Sequence, residues 1–216
     1  MRWFSLLLVL VCLSCKPGKN VVSAPDLATR VMKHRTIALL PANIIQANPK
    51  LKEAAEKYGY SFQEQLYLQL SNDATNKIAT DVTLQSLEKT NSFLLQNNLT
   101  IEQAYQSQPA DLLKLLGVDA VVMVTLTDKG DLTQGPAPGL SGGRGIYNSG
   151  GSNPNALDLQ INPVQLEMNA NLYDAVDGKL IWRTYRKAGT DLPSNMDALA
   201  QYYSSWIAKR LPYNTQ

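Results

Sequence analysis

The run from Gly117 to Asp128 constrains the fold more than any other stretch of this sequence. It is rich in β-branched residues, and every position from Ala120 to Val124 is apolar. An apolar run without polar alternation is typical of a strand buried on both faces. The run therefore predicts a central strand, with the rest of the domain packed on its two sides.

Helical patterns lie on either side of this strand in the sequence. Ser61 with Glu64, and Thr100 with Gln103, have the spacing of capping boxes, in which side chain and backbone exchange hydrogen bonds at a helix start. The first box predicts a helix over 61–78, after a short helix over 51–58. The second opens a helical region that is interrupted at Pro109 and ended by Gly117. Other predicted elements are strands over 35–41 and 82–84, a loop over 42–50, and helices over 85–96 and from 193 to about 211.

The cleanest alternation in the sequence runs from Val164 to Ala175 and predicts a strand with one wet face. The segment 179–189 is its predicted hairpin partner. A two-residue turn at Asp177-Gly178 would mix apolar and charged faces. A three-residue loop with Gly178 left-handed places Leu172 opposite Trp182, and we favour that register.

The order of these elements predicts an α/β domain. We expect a mixed (α+β) sheet of about four to five strands covered by helices, with a C-terminal β-hairpin and helix. Between the central strand and the hairpin, residues 129–162 are crowded with Gly, Pro, Ser and Asn. A structureless loop of this length is uncommon, so it is either a functional excursion or a disordered insertion.

The N-terminus carries a targeting signal. Arg2 precedes an apolar run over 3–13 that is too short to span a bilayer, and the run ends at Ser14-Cys15. A small residue directly before a cysteine resembles the lipobox of bacterial lipoproteins, which implies a signal peptide over 1–14 and a lipid on Cys15. The division that follows is a lipidated tether over 15–34 and a single α/β periplasmic domain over 35–212. The alternative is an ordinary secretory signal in which Cys15 is incidental.

Three local patterns occur in a recognisable order: Thr36-Ile-Ala-Leu-Leu-Pro41, Leu116-Gly-Val-Asp-Ala-Val-Val122, and Asn171-Leu-Tyr-Asp-Ala-Val-Asp-Gly-Lys-Leu-Ile-Trp182. Together they resemble the superfamily of envelope proteins that includes the curli-secretion channel lipoprotein (CsgG) and the amino-terminal domain of TolB. The resemblance implies an α/β domain at the periplasmic face of the outer membrane, without catalytic residues. Members act as secretion pores, as accessory lipoproteins, or as regulators of cell-wall synthases.

Little in the sequence indicates catalysis or a cofactor. His34 is the only histidine, and its position between Lys33 and Arg35 predicts a solvated residue. There is no G-x-S-x-G or HExxH pattern, and both cysteines, Cys12 and Cys15, lie in the targeting segment. We therefore expect no enzyme, no cofactor and no metal, and the net charge of +2 does not indicate a nucleic-acid partner.

Three residues are candidate partner contacts. Tyr202 and Trp206 lie on the last predicted helix, where packing against the domain is the competing interpretation. Arg144 lies within a Gly-rich stretch that suits an anion, although loop flexibility explains that stretch as well.

The leading hypothesis is a non-enzymatic outer-membrane lipoprotein that binds other envelope proteins or itself, as an accessory or assembly factor of secretion or cell-wall machinery. No small-molecule substrate is expected. One alternative is a subunit of a self-assembling curli-type secretion channel, but residues 129–162 lack the alternation of a membrane-spanning strand. An envelope hydrolase is disfavoured because the necessary His, Cys and metal constellations are missing from the sequence.

Overall fold

The predicted central strand lies inside a seven-stranded mixed sheet. The computed structural model describes residues 20–46, 51–72, 81–128, 166–187 and 196–213. The strands are β1 (Val21–Ser23), β2 (Thr36–Leu39), β3 (Asn43–Ile45), β4 (Thr83–Leu84), β5 (Ala120–Asp128), β6 (Leu166–Asp174) and β7 (Leu180–Arg186). The helices are α1 (Leu27–Val31), α2 (Lys52–Asn72), α3 (Leu87–Gln96), α4 (Ile101–Gln106), α5 (Pro109–Leu116) and α6 (Met196–Ala208).

The sheet order is β1-β7-β6-β5-β2-β4, with β3 paired to β5 beyond the end of β2. β5 pairs antiparallel with β6 and parallel with β2 and β3, and β2 pairs parallel with β4. The hairpin of β6 and β7 is antiparallel, and β1 adds antiparallel to β7 at the sheet edge. The predicted central strand and the α/β class are both confirmed.

Helices cover both faces of the sheet, and this explains the unbroken apolar run of β5. Its residues Ala120, Val122, Val124 and Leu126 pack into a core under α2 and α6. The intervening Val121 and Met123 pack into a second core under α3, α4 and α5. β6 alternates between buried and half-buried residues, because one face lies in the first core, whereas on the other face Tyr173 packs only partly buried against the second core.

A one-residue offset separates β2 from β3 along β5. Ile37 lies opposite Ala120, but Asn43 lies opposite Thr125, so the β2–β3 side has one extra residue. Pro41, which has no N–H to donate, lies at this bulge. The Tyr105 hydroxyl takes the place of the missing ladder contacts: it accepts the Val124 N–H at 2.8 Å and lies 3.0 Å from the Pro41 carbonyl oxygen.

The hairpin has the predicted register but a different loop. Leu172 lies opposite Trp182 and Gly178 has φ of 66°, as predicted. The Asp174 N–H donates to the Lys179 carbonyl, so four residues rather than three form the loop. The register shifts between Leu172 and Tyr173, and this shift restores the pairing of Leu172 with Trp182. The predicted three-residue loop is wrong because the Asp174 carboxylate accepts the Val176 N–H and shapes a wider turn.

The predicted caps are mostly confirmed. Thr100 and Gln103 form a complete capping box, Pro109 opens α5, and Gly117 ends it in the left-handed conformation. The Ser61 box is wrong, because α2 is one helix that passes through Ser61 from Lys52 to Asn72.

Two short strands lie in segments where none was predicted. β3 lies in the predicted loop over 42–50, and β1 lies with α1 in the segment assigned to the tether. The β1 backbone pairs with β7, and Val21 packs against the core. The ordered domain therefore includes residues 20–34, ahead of the predicted boundary at 35. Within the described ranges, no helix is both long enough and apolar enough to cross a membrane.

Gly59 generates a prediction, because α2 passes very close to the β2–β3 bulge at this residue. The Ala42 N–H donates to the Gly59 carbonyl at 2.9 Å, and a Cβ at position 59 would collide with the Ala42 carbonyl oxygen. Gly→Ala inside a helix ordinarily stabilises by roughly 0.5–1 kcal/mol. Here we expect Gly59→Ala to destabilise the domain by roughly 1–3 kcal/mol, as overpacking does, measured by urea denaturation.

The matched control is Lys57→Ala, an exposed position of the same helix. It should change the free energy of unfolding by less than about 0.5 kcal/mol. A Gly59→Ala variant as stable as the parent would mean that the helix does not approach the bulge this closely.

Candidate functional site

The only histidine of the chain lies in a buried polar cluster. His34 is 3% exposed, and its Nδ1 lies 2.5 Å from the Tyr213 hydroxyl. Its Nε2 lies 3.7 Å from Asp174 Oδ2. The prediction of a solvated His34 is wrong, because α1 and the residues after α6 close over it. With its ring sealed from solvent, this histidine is not placed to meet a substrate.

Arg30 of α1 ties this cluster to the β6–β7 loop. Its Nη1 donates to Asp174 and to Asp177, each at 3.0 Å, and its Nε donates to Asp26 at 2.7 Å. The Asp174 side chain is almost fully buried. Hydrogen bonds from Arg30 and Lys179 lower the pKa of Asp177 to about 2, so that this carboxylate keeps its charge in mildly acidic solution as well as at neutral pH. These ion pairs therefore hold the N-terminal segment against the hairpin.

A second carboxylate fastens the start of β2. Asp119 Oδ2 accepts the backbone N–H groups of Arg35 at 2.8 Å and Thr36 at 2.9 Å. The Asp119 backbone also bonds to Thr36 and to Ala175, so it joins β2, β5 and the end of β6. Asp119 and Asp174 belong to the motifs that carry the family resemblance, and in this structure both hold strands and loops in place.

A groove lies beside β3. Its volume is about 540 Å³. Among the described strands β3 pairs with β5 alone, so no described strand pairs with its other edge. Ile45 is 48% exposed at this edge, and Lys52 and Glu102 approach to 3.7 Å beside the groove. The residues lining it are Ala42, Asn43, Ile44, Ile45, Gln46, Lys52, Ala55, Glu56, Thr100, Ile101, Glu102, Tyr105, Gln106 and Thr125.

The groove cannot be predicted from the sequence, because a three-residue strand is too short to show an alternation of apolar and polar residues. The only local signal is the β-branched pair Ile44-Ile45, which follows Pro41 by a few residues. What places the pair at this edge is the bulge at Pro41 and the length of β5, which extends past β2.

A second surface is the arginine–aromatic patch, which we define as Arg186, Tyr202, Trp206 and Arg210. The Arg186 guanidinium lies 4.4 Å from the Trp206 ring centre and 5.1 Å from that of Tyr202. The Arg210 guanidinium lies 3.3 Å from the Trp206 ring centre. Tyr202 and Trp206 are half-buried, with their inner sides against the core. Sequence analysis named the two aromatic residues but not the arginines.

The other predicted site residues lie outside the described ranges. These are Cys15 and Arg144, together with the loop over 129–162 on which the secretion-channel alternative depends. Within the described residues, no cluster of three or more His, Cys, Asp or Glu side chains is arranged to hold a metal ion.

Comparisons with known proteins give weak likenesses. No protein-family model and no curated protein matches the sequence. Among solved structures, lipoprotein GNA1162 from Neisseria meningitidis has 16% identity and a TM-score of 0.45, covering 84% of this chain and 99% of that one. The PelC dodecamer from Paraburkholderia phytofirmans has 15% identity and a TM-score of 0.41, covering 91% and 97%. LpoB from E. coli has 10% identity and a TM-score of 0.42, covering 76% and 64%. Because all three TM-scores lie below 0.5, no function is inferred from these likenesses.

The burial of His34 predicts a pH-dependent stability. Burial lowers the pKa of His34, against the opposing effect of the nearby Asp174 and Asp119 charges. In the unfolded chain its pKa returns to about 6.5, so below that pH the unfolded state binds more protons than the folded state. Stability should be complete above about pH 6.5 and should decrease as the pH falls toward the folded-state pKa.

Since the chain has one histidine, His34→Gln should flatten the dependence of the urea midpoint on pH between about pH 6.5 and pH 5. The neighbouring exposed Lys33→Gln is the control and should keep the slope of the parent. An unchanged slope in His34→Gln would assign the effect to other groups.

Proposed function

We propose that this chain is a non-enzymatic lipoprotein, anchored through Cys15 at the periplasmic face of the outer membrane. Its domain binds other envelope proteins and serves as an accessory or assembly factor for them. The anchor rests on the lipobox-like Ser14-Cys15 after the apolar run. Lys16, where Asp would favour inner-membrane retention by analogy with enterobacterial sorting, supports the outer membrane.

The edge of β3 that no described strand pairs with is the observation that carries the binding role. An extended segment of a partner can add to such an edge as a new strand, with main-chain hydrogen bonds for affinity and side-chain contacts for selectivity. The groove beside the edge offers both kinds of contact: Ile44 and Ile101 form an apolar floor, and Lys52 and Glu102 are charges at its rim. Proteins usually blunt an edge strand with charge or proline, but here Ile45 is exposed.

The burial of His34 supports a binding role for the chain over a catalytic one. A general base must reach the proton that it removes from a substrate. His34 is sealed beside Tyr213 and Asp174, and the groove beside β3 lies at a different edge of the sheet.

The anchor gives a direct prediction. Wild-type cells fed an alkynyl fatty acid should label the protein, and Cys15→Ser should abolish the label and leave an uncleaved precursor or a soluble periplasmic species. The reason is that the acyl chains attach through this thiol and the amino group exposed by cleavage. Absence of label on the wild type would remove the anchor from this proposal.

Partner binding through the groove is tested by Ile45→Lys. A lysine on an edge strand opposes the addition of another strand, so crosslinked envelopes should yield the partner with the wild type and at least about tenfold less of it with Ile45→Lys. The control is Leu95→Lys, which changes a 78% exposed leucine on α3. Equal yields from all three would place the contact elsewhere, and a crosslink of the chain to itself would identify a second copy as the partner.

A further inference from the structure

The pairing of β1 with β7 shows at which end of the sheet the described chain begins. Val21 lies opposite Thr184, and Ser23 lies opposite Trp182, so β1 read backward runs toward the C-terminal end of β7. The Asn20 carbonyl oxygen accepts the Tyr185 N–H at 3.1 Å and the Thr184 hydroxyl at 2.9 Å. Asn20 is therefore held beside the last residues of β7.

Cys15 precedes Asn20 by five residues. A fully extended chain spans at most about 3.6 Å per residue, so the Cα of Cys15 lies within about 18 Å of that of Asn20. If Cys15 carries the lipid, its backbone sits at the membrane surface. The end of β7 then lies within the same distance of that surface, and this end of the domain faces the bilayer.

The arginine–aromatic patch lies at this end. Arg186 directly follows Tyr185, which holds Asn20, and its guanidinium stacks on the two aromatic rings of α6. Arg210 reaches the same indole from beyond the helix end. Tyr and Trp with long basic side chains are the residues that proteins place at the level of lipid headgroups, where an apolar body and a polar tip are both accommodated.

The patch also has the electrostatics of an anion site. It adjoins a cavity of about 480 Å³, whose lining includes Trp206, Lys209 and Arg210 and contains no aspartate or glutamate. Burial and the neighbouring Arg186 charge lower the pKa of Arg210. The indole Nε1–H of Trp206 is buried and finds no acceptor among the described residues. Two cations held close together, beside a lining without carboxylates, match a bound phosphate group.

We propose that the arginine–aromatic patch binds the phosphate headgroups of anionic phospholipids next to the anchor, and so seats this end of the domain on the membrane. The proposal rests on the anchor proposed above. The lipid anchor supplies attachment, and the patch supplies orientation, because a single attachment point would leave the domain free to turn. When the patch binds the lipid headgroups, the groove beside β3 has a fixed orientation relative to the bilayer.

The mature chain offers a built-in reporter. Its tryptophans are Trp182 and Trp206, since Trp3 lies in the predicted signal peptide. Trp182 is 2% exposed, so quenching of tryptophan fluorescence by lipids brominated near the headgroup reports Trp206. The lipidated full chain is placed in phosphatidylcholine vesicles with phosphatidylglycerol as the minor component. We expect strong quenching there, and none in Trp206→Phe.

Charge dependence is measured by sedimentation with the same vesicles on the cleaved, soluble Cys15→Ser species, which carries neither the lipid nor the apolar run over 3–13. Arg186→Gln with Arg210→Gln should weaken binding on the order of tenfold or more, as loss of two cations near an anionic surface does. The control is Arg183→Gln, which removes the same charge from the opposite face of β7, where its Nε bonds Asn171. Thermal melts check that the variants fold. If the double variant does not fold, Lys209→Gln and the weakening of wild-type binding by salt take its place.

Several results would overturn the proposal. One is an acylated protein whose Trp206 is not quenched. Others are equal binding to vesicles of phosphatidylcholine alone, arginine variants that bind like the parent, or binding of inorganic phosphate without binding of vesicles. Arginine variants that keep lipid quenching but lose crosslinks to an envelope protein would assign the patch to a protein partner instead. If the wild type is not labelled by the fatty acid, the anchor is removed from the proposal. The sedimentation of Cys15→Ser protein still shows whether the patch binds anionic phospholipid.

Discussion

A carboxylate buried at the end of β6 holds together parts of the chain that are far apart in sequence. Asp174 receives the Arg30 guanidinium from α1 and the Val176 N–H from the hairpin loop, and it lies beside His34. A buried charge is tolerated only when such partners surround it. The charge of Asp174 is therefore compensated only when α1 lies across the hairpin. That position of α1 brings β1 to the edge of β7.

The three sequence motifs contribute several of the residues that build this arrangement. Asp119 fastens the start of β2, and Asp174 fastens α1. Gly178 lies so close to Ala110 that any side chain would collide with it. These residues maintain the architecture, and neither proposed binding surface includes them. The groove beside β3 and the arginine–aromatic patch are formed by residues outside the motifs, which is where members of one fold can differ in partner.

Features that depend on residues close together in the sequence could be predicted from it, and features that depend on distant residues could not. The two-sided burial of β5, the alternation of β6 and the capping box at Thr100 are local patterns, and all are confirmed. β1 and β3 were missed because three residues form a strand only when a neighbouring strand completes it. The environment of His34 depends on Tyr213, which is distant in sequence. The patch was half predicted, because Tyr202 and Trp206 share a helix whereas Arg186 reaches them only through packing of α6 against β7.

The pairing of β1 along β7 has a mechanical consequence. β1 lies antiparallel to β7, so tension applied at Asn20 along the strand axis would load the three β1–β7 residue pairs together, in shear. A pull across the sheet would instead peel the same pairs apart one at a time, which requires less force. Once the β1–β7 pairs have separated, the ion pairs of Arg30 are the next contacts to bear the applied force. A domain pulled through β1 therefore resists tension along one direction and yields along another.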